Sequence, residues 1–208
     1  MKSKHPSKGW GLKRREPFAF MLYLAMIGSG LLFFFLILVF ITKENQNQDI
    51  PLAIPRVFWA STWVILTSSA TLHWANKAFK EERFRSYRLN ISLTLLAGII
   101  FIILQGFGWE KLFSLGITMR NNTGGMFIYI LSGLHILHTL GGLIALASAN
   151  KDAFQRMEYV DSFVYSVNPP NQLKIKLISI YWHFIDILWV AIFLFLLYHA
   201  SQNSGNSN

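Results

Sequence analysis

Five stretches of the chain are nearly free of charge, and short blocks of charged residues separate them. They run from Phe18 to Ile41, Val57 to Phe79, Leu89 to Phe107, Met126 to Ser148 and Leu177 to His199. Each is near the roughly 20 residues that an α-helix needs to cross the hydrocarbon of a bilayer. The predicted fold is therefore all-α, an integral membrane bundle of five transmembrane helices (18–199). A basic arm precedes it (1–17), and a Ser/Asn/Gln/Gly tail expected to be disordered follows (200–208). The first apolar run is too long for a signal-peptide core and no small-residue cleavage site follows it, so it is expected to be retained. The longest connection, Ala149 to Ile175, carries Phe154, Tyr159, Phe163 and Tyr165. It is expected to be an interfacial loop stiffened by Pro169 and Pro170, either resting on headgroups or docking a partner.

Composition sharpens the membrane reading. Of the 208 residues 53% are hydrophobic and 14% charged, whereas a soluble domain carries roughly 25% charged residues. The net charge of +9 does not point to nucleic acid, because the basic residues flank the apolar runs and form no patch on a soluble module. Lys2, Lys4, Lys8, Lys13, Arg14, Arg15, Lys77, Lys80, Arg83, Arg85, Arg88, Lys151, Arg156, Lys174 and Lys176 fall on one side of the five-span topology. Only Lys43, Arg56, Lys111 and Arg120 fall on the other. The positive-inside rule makes the rich side cytoplasmic, with the N-terminus inside and the C-terminus outside. With no cysteine, disulfides, zinc–thiolate sites and iron–sulfur clusters are excluded.

Polar residues inside spans are costly and call for a reason. Ser69, His73 and Asn76 share a face of the second span. Ser132, His135, Thr139 and Gly142 share one on the fourth, with His138 close by. Ser179, His183 and Asp186 share one on the fifth. These faces should point into the bundle. Depth estimates at about 1.5 Å per residue allow two pairings, His73 with His183 and His138 with Asp186. A carboxylate near the bilayer middle stays ionised only if paired or hydrated, so Asp186 is expected to meet His138 or His183, or else a hydroxyl or a Trp indole such as that of Trp189. On residue chemistry alone, the histidines are open to hydrogen-bonded packing, haem ligation, a metal site or a proton relay. No Walker-type phosphate loop or nucleophile elbow is present.

Three segments carry a more specific resemblance. Tyr181, Trp182, His183, Phe184, Asp186 and Trp189 reproduce the YWHFxDxxW pattern of subunit III of the haem–copper respiratory oxidases. Gly133, His135, His138 and Gly142 are similar to that family's GxHxxHxxxG segment. The stretch from Ser61 to Thr71 with Trp74 and Ala75 resembles its NTxxLLxSGxT…WA helix, and Gln105 matches its LLQ ending. The resemblance covers nearly the whole chain and fits the short, five-helix form of the family. It implies a non-catalytic subunit of a proton-pumping terminal oxidase reducing oxygen to water in aerobic respiration. Such a subunit binds phospholipid and stabilises the catalytic subunit. Haem and copper would lie in partner subunits, the catalytic subunit I and subunit II, with a wider respiratory supercomplex as a further partner. This chain would carry no metal, cofactor or catalytic residue. His73, Gly133, His135, His138, Gly142, Tyr181, Trp182, His183, Asp186 and Trp189 would then be scaffold, interface or lipid-associated residues. Some family positions differ: Gly30 and Gly108 replace carboxylates, and Asn76-Lys77 replaces a His pair, which puts in doubt roles that need those groups. A b-type cytochrome and a subunit III-like partner of nitric oxide reductase are the alternatives. The expected location is the bacterial inner membrane, ahead of the mitochondrial inner membrane.

Overall fold

The computed structural model describes residues 17–44, 54–119 and 123–205. Among them are six α-helices: α1 (Pro17–Glu44), α2 (Val57–Lys80), α3 (Phe84–Ser114), α4 (Thr123–Gln155), α5 (Tyr159–Val167) and α6 (Pro169–Gly205). Most of the basic arm and residues 206–208 lie outside the described residues. Each of the five apolar runs falls inside one long helix. Four helices, α1, α3, α4 and α6, are long and apolar enough to cross a membrane. The second run, α2, is not among them, because its hydroxyls, His73 and Asn76 dilute its apolar content.

The sequence outline changes in two places. The connection after the fourth run contains α5, and Pro169 and Pro170 open α6 instead of stiffening a loop. Proline is well tolerated in a helix's first turn, where backbone N–H groups have no intrahelical partner. The Asn168 carbonyl accepts from the N–H groups of Asn171 and Gln172 at 3.0 and 3.2 Å and starts the helix. At the other end α6 continues through Gly205, so the first residues of the expected tail extend the helix.

The turns are short. Between α2 and α3 the chain reverses through Glu82 at φ 58°, and the Arg83 N–H bonds the Ala78 carbonyl at 2.9 Å. Gly116, at φ +74°, ends α3 in a conformation that only glycine adopts without strain.

The core lies where α2, α3, α4 and α6 meet, around Ile65, Phe101, Leu131, Trp182, Ile185 and Trp189, all fully buried. Helix α1 packs at the side against α4 and α6. Phe33 and Phe40 are its buried large side chains, whereas Phe18, Phe20, Leu24, Ile27, Phe34 and Phe35 are exposed. Phe40 sets its ring edge-on among Phe127, Phe195 and His199, with centroids 5.0, 5.3 and 4.6 Å away.

Candidate functional site

The family-like residues converge on the seam between α2 and α6. The two helices run antiparallel, and polar side chains bridge them in successive layers. Trp189 Nε1 donates to Thr62 Oγ1 at 3.0 Å, and Trp182 Nε1 donates to Ser68 Oγ at 3.0 Å. His183 Nδ1 shares a 2.7 Å hydrogen bond with Ser69 Oγ. One turn further, Asn76 Nδ2 donates to Ser179 Oγ. The receiving hydroxyls are oriented by their own helix: Thr62 donates to the Phe58 carbonyl at 2.7 Å and Ser68 to the Ile65 carbonyl at 2.7 Å. Each hydroxyl therefore spends its proton locally and keeps a lone pair for the indole. Interhelical hydrogen bonds in membrane bundles contribute about 0.6 kcal/mol each. The seam is thus worth a few kcal/mol and fixes the register of the two helices.

Helix α4 closes the site. A Cβ on Gly142 would lie 3.0 Å from Ile185 Cδ1 and 3.1 Å from Trp182 Cε3, and one on Gly98 of α3 would lie 2.7 Å from Trp182 Cη2. The Trp182 ring therefore fills a slot that two glycines leave open on two helices. His135 is fully buried, with its ring 5.6 Å from Phe101 and 5.1 Å from Trp189. Thr139 donates its proton to the His135 carbonyl at 2.9 Å, so its oxygen accepts from His135 Nε2 at 3.3 Å. A Cβ on Gly133 would lie 3.6 Å from the Trp109 ring, and Trp109 Nε1 donates to Ser132 Oγ at 2.9 Å.

The expected partners of Asp186 are otherwise engaged. His138 uses Nδ1 on the Leu134 carbonyl at 2.8 Å and Nε2 on Ser29 Oγ of α1 at 3.0 Å. His183 turns to Ser69, and Trp189 turns to Thr62. Asp186 is 3% exposed; neither carboxyl oxygen makes a well-formed hydrogen bond among the described residues, and the polar group beside it is the Ser69 hydroxyl. Depth along the helices puts these groups at comparable levels but does not fix their azimuth. Hydroxyls on α2 and α1 outcompete the carboxyl for both imidazoles. His73 is exposed, and the Tyr181 hydroxyl donates to the His138 carbonyl at 3.1 Å. Among the described residues no three His, Asp or Glu side chains are placed to share a metal ion.

Sequence reasoning missed Gly98, Ser29, and the Thr62 and Ser68 acceptors of the two indoles. A usable clue was present: Trp182 and Trp189 are seven residues apart and Thr62 and Ser68 six, each near two helical turns.

Comparison with known proteins fits this geometry. Residues 47–201 match the family model of cytochrome c oxidase subunit III. The "probable cytochrome c oxidase subunit 3" of Mycobacterium leprae is 32% identical over 158 residues, covering 73% of this chain and 66% of that protein. The cytochrome c oxidase subunit 3 of Bacillus subtilis is 29% identical over 177 residues, 82% of this chain and 81% of its own. The corresponding Nocardia farcinica protein is 29% identical over 150 residues, covering 72% of this chain and 67% of its own length. The chain thus spans about two thirds of the mycobacterial relative (66%). The match includes the α2–α6 seam and the α4 histidine face, and the chain belongs to the cytochrome c oxidase subunit III family.

Proposed function

We propose that this chain is the non-catalytic subunit III of a proton-pumping haem–copper terminal oxidase. In this reading it holds the catalytic subunit in shape and carries no redox centre of its own. Five helices cross the bacterial inner membrane, α1, α2, α3, α4 and α6, with the N-terminus in the cytoplasm and the C-terminus outside. Helix α2 is the polar member, tolerated in lipid because its hydroxyls face protein. The short α5 lies at the cytoplasmic surface.

The observation that carries the scaffold reading is the destination of the family-like side chains. Trp182, His183, Trp189 and His138 each bond a hydroxyl on another helix. A haem would need imidazole nitrogens turned to a common open space, and both nitrogens of His138 are occupied within the bundle. The exposed apolar face of α1 suits lipid and neighbouring subunits I and II. A groove of about 510 Å³ between α1, α4 and α6, lined by Phe18, Leu22, Ala145, Leu177 and Tyr181, suits the acyl chains of a phospholipid.

The test is purification of the tagged chain from its native membrane. Recovery of a multihelix subunit carrying the haem absorbance is the expected result. A chain that is stable alone and binds haem at about one per polypeptide would replace the scaffold with a b-type cytochrome.

A further inference from the structure

Helix α5 is turned the opposite way from an ordinary surface helix. Its small polar residues Ser162 and Ser166 are buried, and Ser162 Oγ donates to the Arg156 carbonyl at 2.6 Å. Its large apolar residues point outward. Val160 and Val164 are 67% and 61% exposed, and Tyr159, Phe163 and Val167 extend the same arc. The Tyr159 and Phe163 rings stack with centroids 6.3 Å apart and form a flat platform. A contiguous apolar patch of this kind marks an interaction site. Its border is acidic. Glu158 and Asp161 are exposed and take part in no ion pair among the described residues. The other described acids at this end of the bundle are engaged: Glu81 by Lys77 and Arg83, Asp152 by Lys174 and Arg156, and Glu82 by the Tyr159 hydroxyl.

We propose that this face of α5 is the docking site of the chain's own basic arm, residues 1–16. Trp10 and Leu12 would lie on the Tyr159 and Phe163 platform and its flanking valines, with Lys13, Arg14 and Arg15 beside Glu158 and Asp161. Charge, place and reach select this occupant. The arm carries Lys2, Lys4, Lys8, Lys13, Arg14 and Arg15 against the single acid Glu16, and the patch offers two unpaired carboxylates. Phe18, at the start of α1, lines one groove with Pro170, and Pro170 lies three residues beyond Val167, the end of α5. The arm therefore joins α1 close to the C-terminal end of α5. Its 16 residues span up to roughly 50 Å when extended, whereas nine helical residues cover roughly 14 Å. The bilayer is the poorer occupant. A helix lying in an anionic leaflet carries Lys and Arg along its border, and carboxylates there are repelled. Lys or Arg over the exposed aromatic rings would add to the ion pairs. A docked arm would tie α1 to the α4–α6 connection, in addition to its packing against α4 and α6. Nothing in this assignment requires that the chain serve an oxidase.

The experiment uses the whole chain, with whatever subunits accompany it, in permeabilised native membranes. The sequence holds no cysteine, so Val164→Cys places a single thiol of this chain on the patch. Its rate of labelling by a water-soluble maleimide, read by mass spectrometry of this chain, should rise about fivefold with Glu158→Lys and Asp161→Lys, the loss expected of two exposed ion pairs. Deletion of residues 2–16 should raise it at least as much. Mild oxidation should join Trp10→Cys to Val164→Cys within one chain. It should not join Trp10→Cys to Lys77→Cys, which is exposed at the same end. Labelling that is fast in the unaltered arm and unchanged by either alteration would overturn the proposal. Slow labelling that persists in both altered chains would assign the face to the bilayer, and capture of a second polypeptide by a benzophenone maleimide at Val164→Cys would assign it to a partner. Either result also overturns the proposal. The lysine substitutions on α5 leave the arm's charges in place, so they remain decisive if the deletion disturbs insertion.

Discussion

Trp182 is the side chain whose removal should hurt the bundle most. It is fully buried, its indole N–H is held by Ser68 on α2, and its ring occupies the gap at Gly98 on α3 and Gly142 on α4. In soluble cores Trp→Ala costs about 3–5 kcal/mol. Part of that is transfer from water, which a lipid-embedded bundle does not recover, because the unpacked side chain would sit in hydrocarbon. Lost dispersion, the residual void and the hydrogen bond leave about 2–3 kcal/mol for Trp182→Ala. Trp182→Phe keeps most of the ring and loses the N–H donor. Ser68 still donates to the Ile65 carbonyl, so the cost should be near 0.6 kcal/mol and below about 1.7 kcal/mol. Gly98→Ala works from the other side: overpacking costs about 1–3 kcal/mol, offset by up to about 1 kcal/mol of improved helix preference. In Trp182→Ala the new methyl would enter the vacated slot, so the double variant should be more stable than the sum of the singles. The assay is reversible unfolding in mixed micelles by SDS titration, followed by ellipticity. If Trp182→Ala costs no more than Trp182→Phe, packing does not dominate at this residue. If the Gly98→Ala/Trp182→Ala cycle is additive within about 0.3 kcal/mol, the two positions do not share the slot.

Other tests address separate features. A reporter active only in the cytoplasm should score at the N-terminus and stay silent at the C-terminus; equal scores would remove one of the five proposed spans. Ser29→Ala should cost about 0.6 kcal/mol, because the described side-chain hydrogen bond from α1 to the rest of the bundle is the one to His138; an equal loss in a His138→Ala background would uncouple the two residues. Tyr165, on α5 and outside the spans, has its phenol pushed up from 10.0 to about 12 by burial and then by the Asp152 carboxylate it donates to. A raised folded-state value means that this stabilisation is full below pH 10 and is lost as pH rises through about 12. Tyr165→Phe should flatten the alkaline stability profile in that window, and an unchanged profile would refute the linkage. Asp186→Asn should reduce recovery of the assembled oxidase while leaving electron transfer in the assembled fraction intact; normal assembly with lost oxygen reduction would make Asp186 a catalytic group.

How much of this could be read from the sequence depended on which physical signal a feature carried. Charge-free runs of the right length located the five long helices because the bilayer thickness sets a length that composition reveals. The polar faces of α4 and α6 were equally legible, and they do turn inward at His135, Thr139 and Asp186, whereas on the expected α2 face Ser69 and Asn76 are half-buried and His73 is exposed. Helix α5 escaped because its nine residues are far too few to cross a bilayer, and span length was the signal that located the other helices. The partner of each polar group escaped for a different reason. Sequence gives depth along a helix but not the rotation of one helix against another, so Asp186 was matched by depth to imidazoles that face α1 and α2.

Helix α2 shows why hydropathy and centrality part company in such a bundle. Of the five long helices it alone falls short as a span on apolar content, yet it packs against both α3 and α6. Apart from Thr67 and His73, which are exposed, the uncharged polar residues that lower its apolar content are the ones that bind its neighbours. Thr62, Ser68, Ser69 and Asn76 reach α6, while Ser61 and Thr71 meet Gln105 and Thr94 on α3. Lipid offers no hydrophobic drive for helix association, so a helix enclosed by others gains from small hydroxyls that permit close approach and supply acceptors. A helix facing lipid gains from the opposite composition, as the exposed phenylalanines and leucines of α1 illustrate. Replacing the α2 hydroxyls with alanine would therefore make α2 a better span by composition and a poorer member of the bundle. Such a variant should insert efficiently and yet associate weakly with α6, a dissociation that a purely hydropathic account of this chain does not allow.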